Sequence, residues 1–163
     1  MQRGVNVVRI GVMWPGAMPD GPDSFNASYF EQVERVVGLL WSHRIHTILD
    51  LHQDVLSPAL CGEGAPRWVN VSQAALGGLA FPLPLQPTPV ATLPSGLPNC
   101  SALAGFGFQD LYATDSCGRA FAAIYADTAP QHLGTQLANF WGEVARRFRG
   151  NDGVLALELI NEP

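Results

Sequence analysis

The sequence predicts an α/β fold with parallel strands, and three observations support this. Short apolar segments alternate with amphipathic segments in the order strand, helix, strand, long loop, helix, strand. Each apolar segment is followed by polar residues, the pattern of parallel strands whose carboxyl ends border a site. Hydrophobic residues make up 47% of the 163 residues and charged residues 14%, which is enough for a packed core and excludes a disordered chain.

The first half of the chain contains a strand, a helix and a second strand. The apolar residues 5–10 predict the first strand. Residues 28–31, Ser-Tyr-Phe-Glu, have the pattern of a capping box and predict the start of the helix. Apolar side chains then recur at helical spacing at Phe30, Val33, Val37, Leu40 and Trp41. The second strand is predicted at 45–51.

The last helix and strand are the most regular part of the chain. Helical spacing relates the apolar residues Leu133, Leu137, Phe140, Trp141, Val144 and Phe148. Arginines follow at the carboxyl end, where they complement the helix dipole, and Gly150 is a typical stop. The apolar run 154–160 then predicts a buried third strand.

The segment 55–131 is much longer than an ordinary connection between a strand and a helix. It holds nine of the thirteen prolines, six of them between residues 81 and 98, and the tract 81–89 is expected to be extended. Residues 117–125 are expected to form a short helix. A linker is the alternative, but strands of one series flank the segment, so we interpret it as an elaborated active-site loop.

Composition excludes several partners. A net charge of −5 and a pI near 5.2 argue against nucleic acid, which is bound through a basic surface. The sequence contains no run of about 18 apolar residues, the length that would predict a transmembrane segment. The histidines and cysteines lack the spacing of a metal site, so neither a metal nor another cofactor is expected.

Two features nonetheless indicate the secretory pathway. Asn26, Asn70 and Asn99 each begin an Asn-X-Ser glycosylation sequon, although coincidence is the alternative. The three cysteines, Cys61, Cys100 and Cys117, all lie in the long loop, and by proximity we expect Cys100 to pair with Cys117. We therefore expect a secreted or lysosomal protein. Since no signal peptide precedes the first strand, we also expect that the true N-terminus is missing.

Polar residues stand where each predicted strand ends, and adjacent parallel strands bring these ends together. The candidates, in chain order, are Arg9, Trp14, His52, Asp54, Asn161 and Glu162. A carboxyl group that leaves a buried strand beside an amide is suited to general acid catalysis, because the amide can hold a substrate hydroxyl while the acid donates its proton.

Structural alternatives exist for these candidates. For Arg9 the alternative is an ion pair with Glu158 or Asp50, and for Trp14 it is packing in the core instead of stacking on a sugar. The polar residues after the second strand could equally form a hydrogen-bond network that binds no substrate.

Three segments resemble glycoside hydrolase family 5, and within it the endoglycoceramidase-related branch. They are residues 6–16 (Asn-Val-Val-Arg-Ile-Gly-Val-Met-Trp-Pro-Gly), 49–58 (Leu-Asp-Leu-His-Gln-Asp-Val-Leu-Ser-Pro) and 159–163 (Leu-Ile-Asn-Glu-Pro). The second segment, followed by Cys-Gly-Glu-Gly-Ala-Pro-Arg-Trp at 61–68, is the more specific to the branch. The resemblance implies that residues 1–163 are part of a (β/α)8 TIM barrel, about strands 2–4 with two crossover helices and the long loop.

The resemblance also implies a reaction, the hydrolysis of a β-glycosidic bond with retention of configuration. Glu162 matches the general acid/base and Asn161 the residue that holds the sugar 2-hydroxyl. His52 and Asp54 match residues that line the glycone site, and Arg9 matches the arginine that orients the nucleophile. The nucleophilic glutamate belongs to a later strand, so the chain as given is expected to be inactive.

The expected substrate is a glycosphingolipid cleaved between glycan and ceramide, which would bring the protein into transient contact with a membrane surface. One alternative is a family 5 endo-glucanase acting on another β-glycan. The other alternative is an inactive truncated form that binds carbohydrate.

Overall fold

The computed structural model describes residues 4–71, 91, 93–103, 108–128 and 130–163. Within these ranges no helix has the length and apolar character needed to cross a membrane. The strands are β1 (Val7–Gly11), β2 (His46–Asp50) and β3 (Val154–Glu158). The helices are α1 (Trp14–Ala17), α2 (Ala27–Ser42), α3 (Phe108–Tyr112), α4 (Asp115–Ala126) and α5 (Leu133–Arg147).

The chain divides into two compact units. Residues Met1–His52 and Ala138–Pro163 form the first unit, and Gln53–Leu137 form the second. The first unit contains a parallel sheet in the order β1-β2-β3. The predicted α/β fold and the parallel pairing of successive strands are therefore confirmed.

The sheet of the first unit is covered by apolar helix faces, as the spacing predicts. Phe30, Val33 and Val37 of α2 are buried, and α2 contacts β2. In α5 the buried residues include Phe140 and Val144. Burial of these side chains supplies the main stabilisation of the unit, at about 1.5–3 kcal/mol for each large apolar side chain.

The start of α2 differs from the sequence prediction. The N-cap is Asn26, whose Oδ1 accepts hydrogen bonds from the Tyr29 amide at 3.2 Å and the Ser28 hydroxyl at 2.9 Å. Ser28 was expected to be the cap but lies inside the helix. Asn26 begins the helix two residues earlier than expected and binds the Tyr29 amide, and asparagine is among the strongest capping residues.

The second unit holds the short helices and the disulfide. The helix expected at 117–125 is present as α4, capped by Thr114 Oγ1, which accepts from the Cys117 amide at 3.2 Å. The preceding helix α3 and a 3-10 turn at Cys100–Leu103 were not anticipated. The extended conformation expected for residues 81–89 falls outside the described residues.

The disulfide prediction is wrong. The structure joins Cys61 to Cys100, whose Cα atoms lie 5.6 Å apart, and leaves Cys117 as a free, buried thiol. This separation is typical of a disulfide. Cys117 lies in the first turns of α4 with only 1% of its surface exposed, so its side chain is committed to the core of the unit.

Candidate active site

The carboxyl ends of the three strands are joined by a ladder of backbone hydrogen bonds that continues past the strands. The Val12 amide donates to Asp50 O at 2.6 Å, and the Leu51 amide donates to Glu158 O at 3.1 Å. Beyond the end of β3, the Asn161 amide turns back and donates to Leu51 O at 3.0 Å. The polar residues after β2 and β3 are thus held at one edge of the sheet, as parallel strands require.

Arg9 lies at the centre of a polar cluster at this edge. Its Nη1 donates to Glu158 Oε1 at 3.0 Å and to Asn161 Oδ1 at 3.1 Å, and its Nε lies 3.7 Å from Asp50 Oδ2. Both partners named as structural alternatives for Arg9 are therefore in contact with it. With 47% of its side chain exposed, Arg9 is also accessible from solvent, so the contacts are compatible with a ligand on its open side.

Asn161 is the most constrained of the candidates after β3. It is 3% exposed, and its amide is oriented by Arg9, which donates to its Oδ1. An amide whose oxygen faces a guanidinium turns its NH2 group the other way. With its oxygen bound by Arg9, Asn161 offers its NH2 group as a donor, and a hydroxyl oxygen can accept from such a group.

Asp50 is a buried carboxyl group that the sequence did not single out as a site residue. Its side chain is 2% exposed and contacts Arg9 and His52 through one oxygen, Oδ2. Burial raises the pKa of Asp50; the hydrogen bond from His52 and the charge of Arg9 act against this, while the Glu158 carboxylate adds to it. The only sequence signal was its position at the end of β2.

His52 follows β2 and is held by this carboxyl. Its Nδ1 lies 3.1 Å from Asp50 Oδ2. The residue is partly exposed, and its Cβ lies beside Gly11, where an added Cβ would be 3.5 Å away. Asp50 thus links His52 to Arg9, because one of its carboxyl oxygens contacts both side chains.

Glu162 is exposed and follows directly after the buried Asn161. Its φ of 40° is in the left-handed region, which is uncommon for a residue other than glycine. Such conformations are more frequent where the surrounding structure fixes a functional side chain. The backbone therefore adopts an uncommon conformation at the residue that was expected to transfer the proton.

Trp14 does not form a sugar platform, and this prediction is wrong. The ring is 1% exposed and packs against Phe140, with ring centroids 6.3 Å apart. The segment forms the short helix α1, which turns the indole inward, so the alternative of packing in the core is the one that the structure shows. Tyr29 fixes this turn, because its hydroxyl accepts from the Met13 amide at 2.7 Å.

Asp54 belongs to the second unit, where its carboxylate takes part in a hydrogen-bond network. The Tyr112 hydroxyl donates to Asp54 Oδ1 at 3.4 Å, and Gln53 Nε2 donates to the same hydroxyl at 3.3 Å. Gln53 is fully buried, and its Oε1 accepts from the Leu56 amide at 2.8 Å. Tyr112 and Gln53 were not anticipated, since a tyrosine 58 positions away in a long loop gives no local signal.

Two glycines hold the Asp54 backbone in place. Asp54 and Glu63 form an isolated antiparallel bridge, with N–O distances of 2.9 and 2.6 Å. A Cβ added at Gly62 would overlap the carbonyl oxygen of Asp54, and one added at Gly64 would overlap Gln53. The close approach of these two chain segments therefore depends on the absence of side chains at both positions.

Of the three sequon asparagines, Asn70 is exposed and the other two are partly exposed. Asn26 uses its Oδ1 as the cap of α2, which leaves the amide nitrogen as the atom that a glycan would modify. The backbone of Asn70 is held by the Gln131 side chain through two hydrogen bonds of 2.8 Å. Asn99 immediately precedes Cys100 of the disulfide.

The polar cluster of the first unit combines a guanidinium, an amide and an imidazole. An exposed acid, Glu162, directly follows the amide residue in the sequence. Such groups bind hydroxyl-rich ligands through several directed hydrogen bonds, and an adjacent acid can transfer a proton. The arrangement is therefore suited to a carbohydrate.

Comparison with known proteins identifies the family of this chain. The model of the cellulase family, glycosyl hydrolase family 5, matches residues 1–163. Endoglycoceramidases from Hydra vulgaris and Cyanea nozakii are each 35% identical to the chain, over 160 and 161 residues. The matches cover 98% of this chain but only 30% and 31% of those enzymes. The chain therefore spans about a third of the length of these relatives.

Solved structures agree with these relatives. Endo-glycoceramidase II from Rhodococcus sp. superposes with a TM-score of 0.72 at 31% identity, over 98% of this chain and 32% of that one. The same enzyme in a complex with ganglioside GM3 gives a TM-score of 0.71 at 29% identity, over 98% of this chain and 33% of that one. The fold is thus part of a TIM barrel, and the chain belongs to glycosyl hydrolase family 5, the cellulase family.

Proposed function

We propose that this chain is part of a retaining β-glycosidase that cleaves between the glycan and the ceramide of glycosphingolipids. One observation carries the proposal. The Asn161–Glu162 pair follows β3, and Asn161 accepts a hydrogen bond from Arg9, which shares the Asp50 carboxyl group with His52, in a chain whose relatives are endoglycoceramidases. The geometry supports a carbohydrate ligand, and the relatives support the lipid-linked class.

Each residue of this edge has a role in the proposed reaction. Glu162 protonates the glycosidic oxygen as the bond to ceramide breaks, and it later removes a proton from the water that releases the glycan. Asn161 donates to the sugar 2-hydroxyl, and Arg9 keeps the Asn161 amide in the orientation that allows this. His52 and Asp54 contribute hydrogen bonds to the glycone.

Retention requires a second carboxylate about 5–5.5 Å from the acid, acting as the nucleophile. Asp54 and Glu63, the spare acids nearest in sequence to the site, do not match the nucleophile of the resemblance. We propose that the nucleophile lies in a later strand of a longer polypeptide. Residues 1–163 alone would then bind sugar weakly and hydrolyse nothing.

An endo-glucanase is the second candidate, because the family model that matches the whole chain is named for cellulases. The two candidates differ in what lies beyond the scissile bond, which is a lipid in one case and further sugar in the other. A long loop with an apolar composition suits the lipid, so the glycosphingolipid is our first choice.

The substrate comparison tests the proposal directly. The full-length protein is incubated with a lactosylceramide in detergent micelles and, separately, with a soluble β-glucan oligosaccharide. We expect intact lactose and ceramide from the first substrate, with little cleavage of the second. Monosaccharide release from the lipid, or hydrolysis of the glucan alone, would exclude the proposed function. The first-formed anomer, measured by NMR, tests retention.

We also propose that the protein is secreted or lysosomal. The Cys61–Cys100 disulfide and the three sequons support this, since both belong to oxidising compartments with a glycosylation machinery. Treatment of the protein from its native source with an N-glycosidase should lower its mass. An unchanged mass would remove the support that the sequons give.

A further inference from the structure

We propose that Asp50 is a positioning residue, which fixes the protonated nitrogen of His52 and the place of Arg9 without touching the substrate. The contacts of one carboxyl oxygen support this. Asp50 Oδ2 lies 3.1 Å from His52 Nδ1 and 3.7 Å from Arg9 Nε. A carboxylate oxygen can only accept, so Nδ1 of the neighbouring imidazole must carry the hydrogen.

Asp50 has little freedom to move away from these two partners. The residue is 1% exposed, and its carbonyl oxygen is held by the Val12 amide at 2.6 Å. Its second oxygen, Oδ1, is buried, and no donor among the described residues reaches it. The orientation of the carboxyl group therefore depends on Arg9 and His52, and they in turn depend on it.

The contact with Asp50 fixes both the tautomer and the orientation of the His52 imidazole. With Nδ1 committed to Asp50, Nε2 is the nitrogen through which the imidazole meets any other partner. In the proposed function, on which this step rests, that partner is a sugar hydroxyl. An imidazole free to exchange its tautomers or to rotate would offer the hydroxyl a mixture of donor and acceptor, which weakens directed binding.

The consequence for Arg9 is a fixed direction of its guanidinium. Asp50 contacts Nε, while Glu158 and Asn161 accept from Nη1. The planar group is thus held at two of its nitrogens, which sets the orientation of the Asn161 amide as well. One buried carboxyl group thereby positions residues that follow both β2 and β3.

The first test reads the imidazole directly. In ¹⁵N-labelled full-length protein, the Nδ1 and Nε2 shifts of His52 are assigned by comparison with His52→Gln. We expect the wild-type ring to carry its hydrogen on Nδ1. Finding the hydrogen on Nε2 alone would overturn the proposal, and this measurement needs no Asp50 variant to fold.

The second test uses Asp50→Asn with Thr47→Val as its control. Asparagine can offer either end of its amide to the ring, so the neutral imidazole should become a mixture of tautomers. Thr47 is equally buried on β2 but lies an odd number of residues away, on the other face of the strand. Thr47→Val should leave the His52 shifts as they are, and an unchanged spectrum in Asp50→Asn would overturn the proposal.

Kinetics then separate this inference from the proposed function. If the enzyme cleaves glycosphingolipid, Asp50→Asn should lower kcat/KM about 10- to 100-fold, the cost of a misplaced binding group. An active enzyme in which the tautomer shifts while kcat/KM is unchanged would overturn the positioning role. If no glycosphingolipid is cleaved while the NMR result is as expected, the proposed function fails and the role of Asp50 in fixing His52 stands.

Discussion

Arg9 donates a hydrogen bond of 3.1 Å to the side-chain oxygen of Asn161, across 152 positions of the sequence. The arginine lies within β1, and the asparagine follows β3, so the bond spans the whole width of the sheet. Because Asn161 is 3% exposed, water is a poor substitute for this donor. The contact therefore stabilises the fold as well as the site.

The first prediction concerns the stability that depends on Arg9. Arg9→Gln removes the donor to Asn161 and the cation beside the buried Asp50. Since Arg9 is about half exposed, its ion pairs are screened, and we expect a loss of about 1–2 kcal/mol, chiefly from the buried groups left without a donor. Chemical unfolding of the full-length protein measures this.

Arg35→Gln is the matched control, because it makes the same change of charge on the exposed surface of α2. It should alter the free energy of unfolding by no more than about 0.5 kcal/mol. Equal effects of the two substitutions would mean that the contacts of Arg9 contribute nothing specific.

The second prediction separates proton donation from binding at Glu162. Glu162→Gln should lower kcat on a natural glycolipid by about 10²–10⁴-fold, because the leaving alkoxide then lacks a proton. An aryl glycoside with an acidic phenol needs no such proton, so its first step should be affected much less. Glu31→Gln, on the exposed face of α2, should leave both rates unchanged. Equal losses on the two substrates would contradict the acid role.

The third prediction concerns the disulfide of the second unit. Digestion without reduction should yield a peptide that links Cys61 to Cys100. The bridge closes a loop of 39 residues, so loop entropy predicts that removing it costs about 4 kcal/mol at most. Cys61→Ser should accordingly lower Tm, and reductant should lower the Tm of the wild type but not of the variant. A peptide linking Cys100 to Cys117 would contradict the structure.

The fourth prediction follows from the burial of Cys117. Burial raises the pKa of this thiol to about 11, from a usual value near 9.0. At pH 8 only about 0.1% would be thiolate, so alkylation by iodoacetamide should be slow until the protein is denatured. Fast labelling of the native protein at pH 8 would contradict this.

The raised pKa of Cys117 also makes the free energy of unfolding depend on pH in the alkaline range. A pKa that is higher in the folded state means that folding favours the neutral thiol. Its contribution to stability is therefore full below pH 9 and is lost as the pH rises through about 11. Cys117→Ala should reduce the fall in Tm between pH 9 and 11, whereas an unaltered pH profile would speak against the shift.

The helices and strands could be predicted because their signals are local. The spacing of Phe140 and Val144 identified α5, and the apolar run after Gly150 identified β3, since periodicity depends only on near neighbours. The meeting of Arg9 with Asn161 could also be anticipated, because parallel strands in sequence order bring their carboxyl ends together.

Contacts between distant residues could not be predicted in the same way. Cys61 pairs with Cys100 because of how the loop folds, and the shorter separation of Cys100 from Cys117 carried no information about that. Trp14 was a candidate because it follows the first predicted strand, yet one turn of helix buries it. The role of Asp50 depends on which of its oxygens faces which partner, and only coordinates give that.

The last prediction concerns the open sheet of residues 1–163 on their own. In the described residues β1 and β3 form the edges of the sheet, and Leu155 and Leu159 are 60% and 62% exposed. A groove of about 510 Å³ also runs along β3, and its lining includes Phe148, Leu155 and Leu157. Unpaired edges beside exposed leucines favour pairing between chains, which barrel closure would prevent.

We therefore expect the isolated chain to aggregate at micromolar concentration, as light scattering and sedimentation would measure. Leu155→Lys places a charge beside the open edge and should increase the monomer fraction. Leu39→Lys is the matched control, because Leu39 is 62% exposed, close to the 60% of Leu155, but lies on α2 instead of on a strand. If the wild-type chain were monomeric and melted cooperatively, or if both substitutions improved solubility equally, the open edge would not be the cause.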